Sequence, residues 1–409
     1  MAKTRRDPKG RALQKGESYI AGRKMYCFTY MDPMRVRRYV YSKNLIDLRE
    51  KEQNIRRDSL DGIDSYASSN CTVDYLFERY IKTKKELRSS TRSNYIYTYN
   101  HYVKRLLGTR KIGELKYSDF KFFFSRQLDR GLSLNTVSGM NRILVSMFGL
   151  AVRDDVIRKN PLDGAFTEIK KSVKERPVRH ALSYEEEKEF LDYLDQPKYD
   201  RWRPLFIFMF GTGCRIGETI GIRWEDIDFD TDEIEVNHDI TYCPREKHDF
   251  RCEYEVGPPK TIAGIRTIPL MSKVKDALTE EKSNQDKYGI HNISVVDGMS
   301  GFVFCNRFGE LHKPSSINRA IARIVDDHNA GEEVKAAKEG RDPVMIPRFS
   351  CHVTRHTFCS RLCENGTNIK LIQQIMGHSD IRTTMDIYAE VSKGMAHAVF
   401  QELNEEDVL

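Results

Sequence analysis

The first 60 residues alternate between apolar and polar positions in the manner of a small sheet followed by a helix. Aromatic side chains at every second position predict a strand over Met25–Tyr30, and a turn is predicted after Asp32. Arg35–Tyr41 has the composition of a second strand, and Leu45–Arg57 has the periodicity of a helix. A unit this short cannot cover both sides of its sheet, so one sheet face is expected to remain exposed.

Helical periodicity dominates the next hundred residues. The expected helices cover residues 72–84, 90–108, 118–130 and 135–153. Thr72 is expected to cap the first helix, and Gly108 is expected to end the second in a left-handed conformation. The segment is therefore predicted to be an all-helical unit.

A basic stretch containing Pro177 separates this unit from the rest of the chain, and Ser183 with Glu186 then forms a capping box. Helices prevail beyond it, apart from strand-like residues between about Ile234 and Pro269. The predicted fold class is therefore α+β with several domains. The expected domains are a sheet-and-helix domain at residues 1–66, an all-helical domain at 72–166, and a mostly helical domain with a small antiparallel sheet at 182–409.

The distribution of charge favours a polyanionic partner. The net charge is +7 over 409 residues, but the first 170 residues carry +16 and the remainder carries −9. An exposed basic surface without a partner is the alternative. No run of 18 apolar residues predicts a membrane span, and the nine scattered cysteines favour reduced thiols in a cytosol over disulfides or zinc.

A first cluster of chemically informative residues lies in the sequence G-T-G-C-R-I-G-E. Its Arg215 and Glu218 are three residues apart, so on one helical turn the carboxylate can hold the guanidinium. An arginine next to a buried apolar helix requires a partner or an anionic ligand. An ordinary ion pair explains this cluster equally well when it is taken alone.

A second cluster is H-V-T-R-H, in which His352 and Arg355 are neighbours on one helix face. His352 and His356 have the spacing of a zinc-protease helix. That motif requires glutamate directly after the first histidine, where this chain has Val353, and no third ligand is evident. No metal site is predicted.

A third cluster is M-G-H, followed ten residues later by a tyrosine. His378 comes just after a short apolar helix that is expected to stop at Gly377, and it could serve simply as a helix cap. Tyr388 is the only tyrosine after Tyr288 in a chain that contains 20.

The ordered set of an arginine in G-T-G-x-R-x-x-E, then H-x-x-R, then M-G-H-S, then a tyrosine resembles the tyrosine recombinase (phage integrase) family. The resemblance covers about residues 183–392, and the ordered set is far more specific than any single motif. The opening R-R-D-x-x-G-R, with its sheet-then-helix pattern, is similar to integrases of conjugative transposons.

The resemblance implies the chemistry of the site. Tyr388 would be the nucleophile that cleaves DNA through a 3′-phosphotyrosyl link, and Glu218 would hold Arg215 in place. Arg215, Arg355, His352 and His378 would bind the reacting phosphate, as its charge requires. Lys260 would donate the proton to the leaving oxygen from a β-hairpin with Gly264 at its bend, although a passive DNA contact is the alternative.

The resemblance also implies partners but no cofactor, because the phosphodiester energy is kept in the phosphotyrosine. The expected partners are arm-type and core-type double-stranded DNA sites, three further copies of the chain in a tetramer on two duplexes, an excisionase and a host DNA-bending protein. The expected location is the bacterial cytoplasm at the nucleoid. The candidate DNA contacts are Arg35, Arg37, Arg38, Arg92, Lys104 and Arg105.

Several alternatives remain open at this point. A prophage integrase, a chromosome-dimer resolvase or a type IB topoisomerase would use similar residues, and a DNA-binding regulator without catalysis represents a different class. Residues 243–252 and 327–344 are expected to be exposed loops added to a minimal recombinase. An apolar stripe from Met395 to Leu403 predicts a C-terminal helix that packs either on its own chain or on a neighbour.

Overall fold

The computed structural model describes residues 5–32, 35–60, 70–172, 181–245 and 250–391, which belong to two compact units, Met1–Arg176 and Pro177–Leu409. The predicted turn after Asp32, residues 61–69 between the first two predicted domains, most of the basic stretch around Pro177 and the C-terminal stripe lie outside the described residues. Each unit combines helices with small antiparallel sheets, which confirms the predicted fold class.

The N-terminal sheet contains three antiparallel strands in the order β1 (Glu17–Ile20), β2 (Met25–Met31) and β3 (Arg37–Ser42), and it is followed by α1 (Leu45–Leu60). The first strand was not predicted from its four-residue pattern. Leu45 and Leu48 of the helix pack on the aromatic side chains of the middle strand. The other face carries Tyr39, which is 52% exposed, so the expected open sheet face is confirmed.

The remaining helices of the first unit enclose a core of their own. They are α2 (Val73–Thr83), α3 (Ser89–Thr98), α4 (Lys104–Leu107), α5 (Tyr117–Asp129), α6 (Leu134–Arg153) and α7 (Thr167–Ser172). A π-helical turn joins α3 to α4, and the Thr72 hydroxyl accepts a hydrogen bond from the amide of Tyr75, as expected of a cap.

The prediction for Gly108 is wrong in its geometry. Its φ is −52°, so it is not left-handed. A Cβ at this position would lie 2.5 Å from a carboxylate oxygen of Asp74, which in turn accepts a hydrogen bond from Tyr99. A Cβ would lie equally close, at 2.5 Å, to the carbonyl oxygen of Lys104, so these two close approaches favour glycine here without a left-handed backbone.

The second unit has one large hydrophobic core. It contains helices that precede and follow a group of strands along the chain. Its helices are α8 (Tyr184–Tyr193), α9 (Arg203–Thr212), α10 (Ile216–Gly221), α11 (Ser272–Tyr288), α12 (Pro314–Glu339), α13 (Cys351–Glu364), α14 (Ile369–Met376) and α15 (381–391). Ser183 and Glu186 exchange both hydrogen bonds of a capping box at the start of α8, as predicted.

The strands of this unit form two separate sheets. They are β4 (Ile227–Asp228), β5 (Glu233–Val236), β6 (Asp239–Arg245), β7 (Arg251–Gly257) and β8 (Arg266–Pro269). The last strand pairs with β5, whereas β7 pairs with β6. The predicted hairpin with Gly264 at its bend is therefore wrong, because residues 258–265 connect two sheets and Gly264 ends a 3₁₀ turn.

The described parts of the two predicted loop insertions are largely strand or helix, and only residues 340–344 form an exposed segment without regular structure. Cys243 is a buried residue of β6, and Cys252 belongs to its partner strand β7. Residues 327–339 continue α12, after which Arg341 folds back to bind Glu332 at 2.5 Å. The described residues contain no helix that is both long and apolar enough to cross a membrane.

Candidate active site

Arg215 begins the site at the point where an apolar helix ends and a new one starts. Gly213 terminates α9 with a φ of +60°, and Arg215 is the N-cap of α10. The Glu218 carboxylate accepts hydrogen bonds from the Arg215 amide at 2.8 Å and from its guanidinium at 2.7 Å. The predicted pair of Arg215 and Glu218 therefore forms within one helical turn.

Glu218 is buried, and only 3% of it is exposed. Its second oxygen accepts a hydrogen bond from Arg266 at 2.9 Å. Burial would raise the pKa of Glu218, but the hydrogen bond and charge of Arg266, with the charge of Arg215, keep that pKa below its usual value. The carboxylate is thus an ionised anchor between two guanidiniums.

Arg355 lies inside the protein on α13, with 3% of its surface exposed. Its guanidinium donates to the Gly213 carbonyl at 2.8 Å and also to the Met376 carbonyl. Burial and the nearby charge of Arg215 lower the pKa of Arg355 to about 9. A buried cation near a second cation is stabilised by a bound anion. The negative charge offsets both the cost of burying the guanidinium and its repulsion from Arg215.

Three consecutive carbonyls at the end of α14 each accept a hydrogen bond from a different arginine. Arg266 donates to Ile375 at 2.7 Å, Arg355 donates to Met376, and Arg215 donates to Gly377 at 3.0 Å. Helix ends leave such carbonyls without partners and carry partial negative charge, which suits cations. We call this arrangement the arginine-capped turn.

Gly377 must be glycine for two reasons. Its φ of +61° lies in the left-handed region, and a Cβ there would lie 2.8 Å from the carbonyl oxygen of Ala263. The 3₁₀ turn Ile262–Gly264 therefore packs directly against the arginine-capped turn. Lys260 lies two residues before this 3₁₀ turn and is exposed.

His378 follows at once and is 9% exposed. Its ring nitrogen Nδ1 lies 2.9 Å from the hydroxyl of Thr384, and its amide donates to the Gln373 carbonyl at 3.1 Å. Burial, with the charges of Arg355 and Arg215, lowers the pKa of His378 to about 3. The imidazole is therefore neutral at physiological pH.

Tyr388 is carried by the next helix, α15, and is 41% exposed. Its neighbour Ile387 is buried against Phe358 of α13 and Met376 of α14. The helix of the candidate nucleophile thus packs on α13, which carries Arg355, and on α14, which ends just before His378. This packing brings the M-G-H motif and the helix of Tyr388 next to the helix that contains the H-V-T-R-H motif.

His352 lies on the exposed side of α13, one helical turn from His356, and the two rings are 4.8 Å apart. The structure therefore pairs Arg215 with Glu218, brings Arg215 and Arg355 to consecutive carbonyls that directly precede His378, and places His352, Lys260 and Tyr388 at exposed positions on adjoining elements. No group of three or more metal-ligating side chains occurs among the described residues.

Arg266 was not identified from the sequence, although it binds Glu218 and caps α14. A signal for it exists in the strand pattern, where Arg266 and Ile268 are buried and alternate with exposed Thr267. An arginine at an inward position of a strand requires a buried acceptor.

The candidate DNA-contacting residues belong to the first unit and fall into two groups. Arg35, Arg37, Lys104 and Arg105 are exposed. Arg38 instead forms an ion pair with Asp32 at 2.8 Å, and Arg92 donates to the Ile81 carbonyl at the end of α2. The last two side chains therefore have structural partners within the protein.

Comparisons with known proteins identify the family of the chain. The phage integrase family model matches residues 180–395, and the DNA-binding domain of Tn916 integrase matches residues 1–59. The transposase from transposon Tn916 of Enterococcus faecalis is 28% identical over 421 residues, covering 99% of this chain and 98% of that protein.

Solved structures give the same result. The Tn1549 transposon integrase in complex with transposon right end DNA has a TM-score of 0.68 and 28% identity, covering 81% of this chain and 99% of that one. A lambda integrase tetramer bound to a Holliday junction shares the fold, with a TM-score of 0.51, 16% identity, and coverage of 92% and 95%. The chain therefore belongs to the phage integrase family of tyrosine site-specific recombinases.

Proposed function

We propose that this recombinase integrates and excises a mobile element of the conjugative-transposon type. The observation that carries the proposal is the arginine-capped turn, where Arg215, Arg355 and His378 meet immediately before the helix of Tyr388. Similarity to the Tn916 transposase over 99% of the chain supports this biology over a prophage integrase or a dimer resolvase.

The proposed reaction exchanges one phosphoester for another. The oxygen of Tyr388 attacks the phosphorus, the bond from phosphorus to the 5′-oxygen breaks, and Lys260 gives that oxygen a proton. The phenolic proton is lost to a base, and the products are a 3′-phosphotyrosine and a 5′-hydroxyl. A 5′-hydroxyl from another duplex reverses these steps and rejoins the strand.

Arg215 and Arg355 are suited to the transition state because charge develops on the two non-bridging oxygens of phosphorus. A guanidinium has five N–H donors, and in this structure Arg215 and Arg355 each direct hydrogen bonds to protein carbonyls. We propose that the other donors of these two side chains bind the phosphate, which a guanidinium can hold with two hydrogen bonds. Donors that are already oriented lower the barrier without reorganisation.

His378 is proposed to act as a neutral hydrogen-bond donor. If the Thr384 hydroxyl donates to Nδ1, the proton of the ring resides on Nε2, which can then bind a phosphate oxygen. His352 is proposed as a second phosphate ligand from the exposed side of α13.

The lowered pKa of His378 predicts a specific pH dependence of stability. The unfolded histidine takes up a proton below about pH 6.5, whereas the folded one resists protonation down to about pH 3. Its contribution to stability is therefore complete above pH 6.5 and is lost between pH 6.5 and pH 3. In the His378→Asn variant, the urea concentration at the midpoint of unfolding is expected to change less with pH across this range.

The control for this experiment is His291→Asn, which replaces an exposed histidine of the same unit. Urea unfolding measured at intervals between pH 7 and the onset of acid unfolding provides the comparison. Equal pH slopes for His378→Asn and the unchanged protein would contradict the assignment.

DNA binding is proposed to be divided among three domains, at residues 1–66, 72–166 and 182–409. The first two would hold arm-type and core-type sites, in keeping with the +16 charge of the first 170 residues. Strand exchange between two duplexes involves four strands and four nucleophiles, which supports a tetramer. An excisionase and a host DNA-bending protein are proposed as further partners, in the bacterial cytoplasm.

Arg37 is the best test of the N-terminal sheet as a DNA-binding surface, because it is exposed on the strand that also exposes Tyr39. Arg37→Ala is expected to weaken binding to arm-type DNA and to reduce the salt slope of the affinity by about 1. Titration by fluorescence anisotropy at several salt concentrations measures both effects. Arg57→Ala on α1 is the matched control, and an equal loss in both variants would indicate nonspecific charge alone.

A nicked DNA that contains a transposon end tests the function itself. The nick releases the short cleaved strand, so the 5′-hydroxyl diffuses away and a covalent intermediate accumulates. A DNA-linked protein band that resists denaturant is expected, and peptide mapping should place the phosphate on Tyr388. No covalent product, or a product on another residue, would contradict the proposal.

A further inference from the structure

Arg266 has four partners within the second unit. Its guanidinium donates to Glu218 at 2.9 Å, to the Ile375 carbonyl at 2.7 Å and to the Gly264 carbonyl at 2.9 Å, and it lies 3.9 Å from the sulfur of Cys214. Only 9% of the residue is exposed. These partners belong to the α9–α10 junction, the end of α14 and the 3₁₀ turn near Lys260.

The site requires a guanidinium and not merely a positive charge. Three nitrogens of Arg266 donate in three directions, which a single ammonium group cannot reproduce. Burying a charge is costly unless it is paired and hydrogen-bonded, and Arg266 satisfies this condition through Glu218 and the two carbonyls. The local structure is therefore built around its planar shape.

The connections of Arg266 lead to three residues of the proposed chemistry. Glu218 uses its other oxygen to hold the Arg215 guanidinium at 2.7 Å. The Ile375 carbonyl is the first of the arginine-capped turn, which continues into His378. Gly264 closes the turn that follows Lys260, and the same turn packs against Gly377.

We infer that Arg266 is a positioning residue for DNA cleavage, which fixes Arg215 through Glu218 and holds the Lys260 segment against the arginine-capped turn. This inference rests on the proposed function. Arg266 itself is buried, so it acts on the phosphate only through these other groups.

The Arg266→Lys variant tests the inference because it keeps the charge and removes the fork. The rate of covalent complex formation on nicked DNA is expected to fall by about 10–100-fold, the usual effect of removing a supporting hydrogen-bond partner of an active-site ligand. The affinity for intact DNA is expected to stay within about twofold, since Arg266 is buried and is not one of the proposed DNA-contacting residues. Thermal unfolding of each variant identifies any general loss of structure.

A double-mutant cycle with Glu218→Gln separates positioning from simple stabilisation. If Arg266 acts on Arg215 through Glu218, the two substitutions together should slow cleavage little more than the slower single variant does. Independent multiplication of the two effects would overturn the inference. If Arg266→Lys unfolds, Glu218→Gln alone must still slow cleavage by about 10-fold or more at unchanged DNA affinity, and an unaltered rate would overturn the inference.

Two controls distinguish this inference from the proposed function. Arg341→Lys removes a fork that binds Glu332 at the end of α12, and it should cleave at the rate of the unchanged protein. Failure of the unchanged protein to form any covalent complex would refute the proposed function. Normal cleavage by the unchanged protein and by Arg266→Lys alike would refute only the role of Arg266.

Discussion

Replacing Tyr388 with phenylalanine is expected to eliminate covalent complex formation on nicked transposon-end DNA. The substitution removes the one oxygen that would bond to phosphorus, and no other tyrosine occurs beyond Tyr288. The phenyl ring keeps its packing, and the side chain is 41% exposed, so the fold should be preserved. Gel electrophoresis under denaturing conditions measures the complex, and a mobility shift under native conditions measures binding.

Tyr288→Phe is the matched control, because that tyrosine is also exposed and lies on α11 in the same unit. It should form the complex at an unchanged rate. The Tyr388→Phe protein should still bind DNA with unchanged affinity, which separates loss of chemistry from loss of binding. A covalent complex formed by Tyr388→Phe would require another nucleophile and would refute the assignment.

Arg355→Lys is expected to slow cleavage by about 10²–10³-fold, the usual cost of removing one oriented donor from a charged transition state. A lysine cannot span the Gly213 and Met376 carbonyls and present a paired donor to phosphate at the same time. Single-turnover cleavage at saturating protein measures the effect, and binding of uncleaved DNA should change much less.

Arg361→Lys provides the control on the same helix. Arg361 donates to Glu187, to Glu364 and to the Leu182 carbonyl, and none of these belongs to the arginine-capped turn, so its substitution should leave the cleavage rate within about twofold. Comparable losses of cleavage rate in both variants would show that replacing any arginine of α13 impairs cleavage, and that the effect is not specific to Arg355. An unaffected Arg355→Lys would remove this residue from the proposed chemistry.

The features that the sequence predicted correctly depend on local signals. The capping box at Ser183, the apolar stripe of α6 and the stop of α14 at Gly377 are each encoded within a few residues. The family could also be recognised from the ordered motifs, because their spacing along the chain needs no knowledge of contacts. Arg215 and Glu218 meet because they are only three residues apart.

The features that were missed or wrong depend on contacts between distant segments. β8 pairs with β5 across more than 30 residues, so the local pattern around Gly264 suggested a hairpin that does not exist. From the sequence, Arg38 and Arg92 were predicted to contact DNA. In the structure, Arg38 is paired with Asp32, and Arg92 donates to a carbonyl at the end of α2. Arg266 escaped notice because its acceptors come from two helices far from it in sequence.

The arginine-capped turn also explains which changes in chain length the catalytic unit should accept. The carbonyls of Ile375 and Met376 belong to the last turn of α14, whereas the carbonyl of Gly377 belongs to a left-handed residue with a φ of +61°. Each of the three arginines thus has a carbonyl of its own at this end of the helix. Residues added before Asn368 would not change this local sequence, whereas one residue inserted between Ile375 and Gly377 would move the left-handed position and take at least one carbonyl away from its arginine.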